Sequence, residues 1–596
     1  MTELLGITLI FLATILLAIP LGKLIAKIYA GDKNPTDFMS PLENIFYKAG
    51  GINPATEMTW QQHLAALLTI NLVWFLWGML VLMNQGWLPM NPDGNPSMSP
   101  DLAFNTTISF IVNCNLQHYS GESGVSYFSQ LFALMFFQFV SAATGMAAAA
   151  AVFKSLTPNP SPKERGVAVP PLSAGAGGRP LGNFHVYFTR SLTRILLPVS
   201  VIVAVILVFN GTPMNFEGKA DTISLQGDTV QVSRGPAAGF IAIKHVGTNG
   251  GGFFGVNSAH PLENPNYLTN TVEIIAQMII PFAMVFALGF YLKRRKLAWT
   301  VFGVMTAGFL LLVIPTVISE INGSPAIEKM GIVQPTGAME GKEVRFGPAA
   351  SGFWSIATTV ISTGSVNSMH DSSMPLSGAM QLLAMMTNCF YGGVGAGFLN
   401  FFVFIIIAVF ISGLMVGRTP EFLGRKIEAR EMKIATIIAL LHPLLILAGT
   451  ALASWLAARD ADMGWWYANA DGAGQKASAW LNNPGHHGFS EMLYEFTSSS
   501  ANNGSGFEGL GDNNPFWNIT TGIVLILGRY LPIIGPVAIA GIMANKKFIP
   551  ESAGTLKTDT STFGIMVFAV IVIIAALSFF PALTLGPLAE LFGMGK

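Results

Sequence analysis

Hydrophobic residues fall into ten long stretches along this chain, separated by polar connections. About twenty consecutive apolar residues match the thickness of a bilayer core, so each stretch predicts one transmembrane helix. The predicted spans are 4–25, 62–83, 129–152, 191–210, 271–292, 297–318, 380–416, 434–457, 517–543 and 562–585. The seventh is too long for one span and contains GGVGAG from Gly392 to Gly397, so we expect a broken or kinked helix there.

Four glycine- or asparagine-rich segments interrupt this pattern and resemble one another. The second, GTNGGGFFGVNSAHP at 247–261, has five glycines in nine residues. The third, STGSVNSMHD at 362–371, shares its VNS-x-H tail, and the fourth, NNGSGFEG at 502–509, shares its NG-x-GF core. A fainter copy, NCNLQHYSGE, begins at Asn113. These similarities indicate an internal repeat.

Aligning the segments on Asn113, Thr248, Ser362 and Asn502 gives spacings of 135, 114 and 140 residues. A semi-apolar stretch precedes each segment, so each unit is expected to read helix, short re-entrant helix, loop, helix. We therefore predict an all-α polytopic membrane protein with ten transmembrane helices and four pseudo-repeated units, in a single integral-membrane domain over 1–596. Its parts are an extra N-terminal helix at 1–28, pore units at 60–153, 190–293, 297–418 and 434–545, and an extra C-terminal helix at 560–586.

Composition supports a membrane protein and excludes other classes. Only 11% of residues are charged, 51% are hydrophobic and the mean hydropathy is +0.53, far from an average soluble domain. The formal net charge is zero and no basic run is interleaved with aromatic residues, which argues against nucleic-acid binding. The two cysteines, Cys114 and Cys389, match no metal-ligand spacing. The first hydrophobic run is expected to be retained as a span.

Lysine and arginine are concentrated in alternate connections. Five connections carry 21 of these residues, and all the other connections carry 8. The five are 23–60, 153–190, 293–296, 418–433 and 544–558. By the positive-inside rule they are cytoplasmic, which puts both termini and all four glycine- or asparagine-rich segments outside. We expect a flexible cytoplasmic linker at 158–182 and an external loop with short strands at 211–234.

The four segments have the composition of an ion filter. A ring of backbone carbonyls can replace the hydration shell of a monovalent cation, and glycine permits the alternating conformations that aim carbonyls at one axis. The third aligned residue is glycine in three segments and Asn115 in the first. Gly251 and Gly252 are expected only to give their loop its turn. External turns are the alternative for any one segment, but four copies on one face favour a filter.

Five stretches of sequence resemble the family of potassium-transporting ATPase A subunits. They are FNTTISFIVNCN–LQHYSGE, GTNGGGFFGVNSAHP–ENP, FWSIATTVISTGSVNSMHD, EFTSSSANNGSGFEGL and GLMVGRTPEFLGRKIE. The resemblance covers most of the chain and implies units like those of a potassium channel around one neutral K+ filter. It also implies a multi-pass protein of the bacterial inner membrane, assembled with a P-type ATPase catalytic subunit (KdpB-like) and with KdpC-like and KdpF-like small subunits.

The resemblance places ion-coordinating positions on four triplets, one from each unit. They are Asn113, Cys114, Asn115, Thr248, Asn249, Gly250, Ser362, Thr363, Gly364, Asn502, Asn503 and Gly504. It also places Gln117 near the filter mouth. A gating loop beneath the filter would contain Gly392, Gly393, Gly395 and Gly397. Close helix packing is the alternative explanation for these four glycines.

The chain departs from the family pattern at two places. Cys114 and Leu116 stand where hydroxyl and aromatic residues are expected, and Asn388 stands where a carboxylate is expected. Backbone carbonyls would form the filter, so we expect its function to survive these changes. Arg529 lies inside the ninth span, where an arginine costs about 2.5–3.5 kcal/mol and requires a partner or water. Arg529 either shapes the electrostatic potential along the ion path or forms a pair with another group that serves only the structure.

Two sets of polar external residues have open assignments. Glu122, Asp371 and Glu508 follow three of the filters and either attract cations to a vestibule or are ordinary solvated carboxylates. Six histidines lie in external segments without carboxylates at ligand spacing, so we do not expect them to hold a metal. These histidines are His118, His245, His260, His370, His486 and His487.

The sequence contains no phosphate-binding loop, because the nearest candidate, Gly341–Lys342, is followed by Glu343. We therefore expect no nucleotide on this chain, which is not an enzyme by itself, and ATP hydrolysis on a partner chain. The leading hypothesis is the K+-binding and translocating subunit of an ATP-driven uptake complex. The alternative is a subunit of a gradient-driven Trk/Ktr-type potassium transporter. Four aligned pore-like segments disfavour a membrane scaffold or an intramembrane enzyme.

Overall fold

The computed structural model describes residues 2–157, 180–415, 417, 419–467, 474–550 and 556–594. Most of the expected linker at 158–182, and Arg418 of the GRTPEF stretch, lie outside these residues. Within the described part, ten helices are long and apolar enough to cross a membrane, which confirms the predicted class. They are Glu3–Ala30, Trp60–Leu82, Tyr127–Leu156, Phe184–Phe209, Tyr267–Tyr291, Arg295–Lys329, Ala396–Met415, Ala429–Ala458, Pro515–Ala544 and Ser561–Leu585.

Four shorter helices, here called the pore helices, precede the glycine- or asparagine-rich segments. They are Pro100–Ile111, Ala237–Val246, Gly347–Val360 and His486–Ala501. Proline at the start of the first, and Pro348 within the first turn of the third, favour helix initiation because the φ angle of proline is already helical. The four helices are almost entirely buried, so they form the centre of the molecule.

The seventh hydrophobic run is two helices, as its length and its glycines predicted. Pro375–Thr387 ends at Asn388, whose φ of 42° is left-handed, and Ala396–Met415 begins after a non-helical stretch. We call residues 388–395 the intramembrane loop. The 13-residue first helix is too short to cross a bilayer, so the predicted seventh span of 380–416 is corrected to Ala396–Met415.

The remaining elements are short. The external loop at 211–234 contains an antiparallel hairpin of Ala220–Ile223 and Thr229–Val232, as predicted. A second hairpin pairs Glu421–Phe422 with Arg425–Lys426. The other helical segments are Pro35–Met39, Ser40–Ala49, Gln85–Trp87, Gly121–Gly124, Asn257–Ala259, Gly464–Tyr467, Ala477–Trp480 and Pro587–Gly593. The third and fourth spans contain π-helical turns at Gln130–Met135 and Leu192–Leu196.

The extra N-terminal span packs closely on the fifth span. A Cβ atom on Gly22 would lie 2.6 Å from the backbone oxygen of Ala283, so the two helix backbones touch at this point. Lipid tails are as apolar as leucine, and close van der Waals packing of small residues therefore holds transmembrane helices together. The first span is attached to the second unit and leaves the central axis to the four pore helices.

Candidate functional site

The four triplets that the sequence predicts to form a filter, here called the filter triplets, leave their pore helices in the same way. The first residue of each triplet has a left-handed φ, at 65° for Asn113, 50° for Thr248, 53° for Ser362 and 52° for Asn502. Such an angle is uncommon outside glycine and ends the helix there. Because they share this conformation, the four segments turn away from their pore helices in an equivalent manner.

The third residue of each triplet has a positive φ again. It is 102° at Gly250, 85° at Gly364 and 103° at Gly504, and Asn115 has 57°. Glycine adopts the first three angles without steric cost, whereas other residues rarely do. The backbone therefore alternates in conformation along each triplet, as is needed to aim successive carbonyls at one axis.

Backbone oxygens from different units converge at the third position. A Cβ atom on Gly250 would overlap the oxygen of Thr363 and would lie 2.7 Å from that of Cys114 and 3.0 Å from that of Asn503. A Cβ atom on Gly504 would likewise overlap the Cys114 oxygen. Backbone oxygens of the first, third and fourth units therefore surround Gly250 of the second unit. This arrangement offers neutral oxygen ligands to a dehydrated monovalent cation.

Side-chain amides fasten the first filter segment to the second. Asn113 donates from Nδ2 to the Thr248 oxygen at 2.7 Å, and its Oδ1 accepts from Asn249 Nδ2 at 2.8 Å. Ser141 donates its hydroxyl hydrogen to the same Oδ1 at 2.9 Å. These groups are buried, so their hydrogen bonds are costly to break. They hold the two segments in a fixed register.

Gln117 pairs with the backbone of Gly252. It donates to the Gly252 oxygen at 3.0 Å and accepts from the Gly252 nitrogen at 2.8 Å. The expectation that Gly251 and Gly252 only form a turn is wrong, because neither residue lies in a turn. A Cβ atom on Gly251 would overlap the Asn115 oxygen, and one on Gly252 would lie 2.8 Å from Lys244 Nζ. Both glycines permit close approach of neighbouring groups.

The intramembrane loop lies directly beneath the filter. Thr248 Oγ1 accepts a hydrogen bond from the Val394 nitrogen at 2.9 Å. Ser362 donates its hydroxyl hydrogen to Asn388 Oδ1 at 2.9 Å, and Asn388 Nδ2 donates to the Ala501 oxygen at 3.3 Å. The loop is thus attached to the second and third filter segments and to the fourth pore helix.

The four glycines of the expected gating loop have different positions. Gly392, Gly393 and Gly395 lie in the intramembrane loop, whereas Gly397 lies in the first turn of the following helix. A Cβ atom on Gly393 would lie 3.6 Å from Thr248 Oγ1, which puts Gly393 under the filter. A Cβ atom on Gly397 would overlap the Tyr391 oxygen, so this glycine serves close packing.

Two cavities adjoin one another below the filter. The smaller, of about 10 Å³, is lined by the first filter residues Asn113, Ser362 and Asn502 and by the loop. This volume is near the minimum that holds one water molecule. The larger, of about 50 Å³, extends sideways past His442. The residues that line both cavities are Asn388, Asn400, Gly528 and Pro532.

Arg529 lines the smaller cavity. Its Nη2 donates to the Ser141 oxygen at 3.4 Å, and among the described residues it forms no ion pair with a carboxylate. The required partner of this buried arginine is therefore a backbone oxygen. Because its charge is not cancelled by a carboxylate there, it lies as a positive charge under the filter.

The three external carboxylates are all fixed by the protein. Glu122 accepts from the Gly255 nitrogen at 2.7 Å, and Glu508 accepts from the nitrogens of His370 and Asp371 at 3.2 and 3.0 Å. Asp371 itself pairs with His487 at 3.0 Å. They join loops of neighbouring units to one another, a role that the sequence did not indicate.

Histidines form contacts that sequence spacing did not reveal. His118 bonds to Asn518 at 2.7 Å and pairs with Glu495 at 3.1 Å, and Asp512 lies nearby. Burial alone would lower the pKa of His118, but Asp512 and Glu495 raise it to about 9. The carboxylates lie almost 400 residues away along the chain, so no local pattern could have predicted this pair.

Among the residues that the structure describes, three groups of histidine and carboxylate side chains come close enough to hold a metal. They are His118 with Glu495 and Asp512, His245 with Glu263 and Glu273, and His487 with Asp371 and Glu491. In each group the histidine already pairs with a carboxylate of the protein. Ion pairs between different units account for the first and third groups, whereas the members of the second group all lie within the second unit.

Comparison with known proteins gives consistent matches. The family model described as "Potassium-transporting ATPase A subunit" matches residues 8–592. The chain is similar to proteins named "Potassium-transporting ATPase potassium-binding subunit". That of Flavobacterium psychrophilum is 70% identical over 592 residues, covering 99% of each chain. That of Parabacteroides distasonis is 58% identical over 593 residues, covering 100% of each, and that of Geobacillus kaustophilus is 45% identical over 585 residues, covering 98% of each.

Among solved structures, the chain is similar to the potassium transporter TrkH from Vibrio parahaemolyticus. The TM-score is 0.48 at 12% sequence identity, and the match covers 89% of this chain and 97% of that chain.

Proposed function

Because the chain belongs to the family of potassium-transporting ATPase A subunits, we propose that it binds K+ at the four filter triplets and translocates it as a subunit of an ATP-driven uptake complex. The observation that carries this proposal is the convergence of the Cys114, Thr363 and Asn503 oxygens around Gly250. Neutral carbonyl oxygens suit a weakly hydrated monovalent cation, which they can strip of water without binding it irreversibly.

The ion site comprises backbone groups of all twelve triplet residues from Asn113 to Gly504. Cys114 contributes its carbonyl oxygen, so the thiol in place of a hydroxyl leaves the ring intact. Gln117 acts at the mouth by holding Gly252. The division into pore units at 60–153, 190–293, 297–418 and 434–545 is supported by the repeated order of span, pore helix, filter and helix.

Below the filter, the ion enters the small cavity and meets the intramembrane loop. Gly392, Gly393 and Gly395 block a straight path to the cytoplasm, and Arg529 adds a positive charge that opposes downward movement. The adjoining cavity past Asn388 supports a sideways exit. Passage of the ion is then controlled at that exit.

Energy comes from a partner chain. This chain has no phosphate-binding loop, so ATP hydrolysis is assigned to a P-type catalytic subunit (KdpB-like), in a complex with KdpC-like and KdpF-like small subunits. The complex lies in the bacterial cytoplasmic membrane with both termini of this chain outside, as the concentration of lysine and arginine in alternate connections indicates.

Purification of the complex from native membranes tests the proposal. We expect a phosphorylatable partner whose ATP hydrolysis is stimulated by K+, and equilibrium binding of K+ that is lost in Gly504→Asp, which places a charged side chain against the Cys114 oxygen. A ring-shaped nucleotide-binding partner would instead support the gradient-driven alternative. Absence of K+ binding in the wild-type complex would contradict the filter assignment.

A further inference from the structure

A fully buried ion pair lies behind the second filter segment. Lys244, on the second pore helix, pairs with Glu263, and neither side chain is exposed. Glu263 also accepts a hydrogen bond from the Ser258 hydroxyl at 2.9 Å. On the other side of Ser258, His245 Nε2 lies 3.1 Å from Oε2 of a second carboxylate, Glu273. Among the described residues, Lys244 forms its ion pair with Glu263 and not with Glu273.

The pair touches the filter loop at Gly252. A Cβ atom there would lie 2.8 Å from Lys244 Nζ and 3.1 Å from Glu263 Oε2. Gly252 is two residues from Gly250, and consecutive Cα atoms are about 3.8 Å apart, so the ammonium lies within about 12 Å of the Gly250 Cα. The positive charge is therefore close to the ion site and is shielded from water.

A buried ammonium at this distance would repel a cation in the filter. Two unit charges about 12 Å apart, at the effective dielectric constant of about 20 found for protein sites, interact strongly enough to change an equilibrium constant about tenfold. Glu263 cancels this charge because its carboxylate contacts the same ammonium. Its contact with the Gly252 loop makes it the group best placed to control the local field.

We propose that Glu263 is a positioning residue for the transported ion, which sets the K+ affinity of the filter by neutralising Lys244 behind it. This inference rests on the proposed K+ filter. Glu263 does not touch the ion and acts through the charge of Lys244. Each partner is therefore required only while the other is charged, which distinguishes an electrostatic role from a purely structural one.

The chain offers a matched control in a second buried lysine–glutamate pair. Lys342 and Glu320 lie 2.9 Å apart and are almost fully buried. Glu320 accepts a hydrogen bond from the Met374 nitrogen at 3.0 Å, in the outer loop of the third unit. Breaking this pair has a similar folding cost, because it also leaves a buried lysine without its carboxylate.

The experiment compares Glu263→Gln, Lys244→Met, the double variant and Glu320→Gln in the purified complex. The readout is the K+ concentration that half-saturates ATP hydrolysis, measured also with Rb+. We expect Glu263→Gln to raise the half-saturating concentration about tenfold for both ions. Lys244→Met should lower this concentration, and the double variant should have a value close to that of wild type. Glu320→Gln should reduce the yield of folded complex without changing the half-saturating K+ concentration.

The inference is overturned if the double variant is as weak as Glu263→Gln, if both single variants shift the value in the same direction, or if Glu263→Gln changes nothing. If Glu263→Gln changes the ratio of the half-saturating K+ and Rb+ concentrations, the variant has distorted the filter, and the inference is also overturned. Failure of the proposed function is distinguishable from these outcomes, because ATP hydrolysis by the wild-type complex would then not depend on K+.

Discussion

Ser362 donates its hydroxyl hydrogen to Asn388 Oδ1 at 2.9 Å, which joins the first filter residue of the third unit to the residue where the seventh hydrophobic run breaks. Asn388 is also bonded to the Ala501 oxygen at the end of the fourth pore helix. The filter and the loop beneath it are therefore parts of one hydrogen-bonded structure. A change at Asn388 should affect ion binding as well as ion release.

Replacing Asn388 with aspartate should strengthen K+ binding. Aspartate retains an acceptor for Ser362 and adds a negative charge to the cavity where the dehydrated ion arrives. We expect a several-fold lower half-saturating K+ concentration and slower turnover, measured as K+-stimulated ATP hydrolysis of the complex. Asn388→Leu, which removes the acceptor without adding charge, should raise the K+ value. Weaker binding in Asn388→Asp would contradict this account of the cavity.

Gly250→Ala should abolish discrimination between K+ and Rb+. The added methyl group would overlap the Thr363 oxygen, and alanine is strained at a φ of 102°. Competition of Rb+ against K+ binding measures the effect. Gly303→Ala is the matched control, because a Cβ atom on Gly303 meets nothing within 4 Å. If both variants keep wild-type selectivity, Gly250 does not border the ion path.

Thr248→Val should loosen the intramembrane loop. The Val394 nitrogen loses its acceptor, and an unpaired buried N–H group costs about 1–3 kcal/mol. We expect a lower thermal unfolding midpoint of the detergent-solubilised complex, and a loss of tight coupling between ATP hydrolysis and K+ uptake. Thr248→Ser retains the hydroxyl and should behave like wild type. Equal midpoints for the valine and serine variants would show that this hydrogen bond has no structural role.

Local patterns were sufficient to predict ten membrane spans, apart from the bounds of the seventh, and four segments that share one backbone conformation. Apolar runs report bilayer thickness directly. The filter backbone needs left-handed angles at fixed places, so its glycines and asparagines recur in the sequence at positions such as Gly250 and Gly364. A break in the seventh run was likewise visible, because a run of that length cannot remain one span, although the helix ends at Thr387, before the glycines at which the break was expected.

The contacts between units could not be predicted in this way. Asn113 bonds to Thr248, 135 residues later, and His118 pairs with Glu495, 377 residues later. Periodicity describes the surroundings of one element and does not say which other element faces it. Lys244 in a mostly apolar pore helix and Arg529 in the ninth span were local signs of buried partners, since a charge at such a position must be paired or hydrated.

His487, in the fourth unit, pairs with one carboxylate of the third unit and one of the short helix Pro587–Gly593, and these contacts should depend on pH. Its ring nitrogens pair with Asp371 and Glu590, each at 3.0 Å. Burial lowers the pKa of His487, but the hydrogen bonds that its ring donates to Asp371 and Glu590 outweigh this effect and raise the pKa to about 10. An unfolded histidine has a pKa of about 6.5, so the folded protein binds the extra proton between these values.

The stabilisation from His487 is therefore fully present below about pH 6.5 and is lost as the pH rises through about 10. We expect His487→Gln to lower the free energy of unfolding by on the order of 2 kcal/mol at pH 6 and to have no effect near pH 10.5. Thermal unfolding midpoints across this range measure the difference. His486→Gln is the control, because the neighbouring His486 bonds to the backbone oxygen of Leu585 at 2.8 Å and to no carboxylate that the structure describes. A difference between His487→Gln and wild type that stays constant with pH would mean that His487 acts by packing rather than by charge.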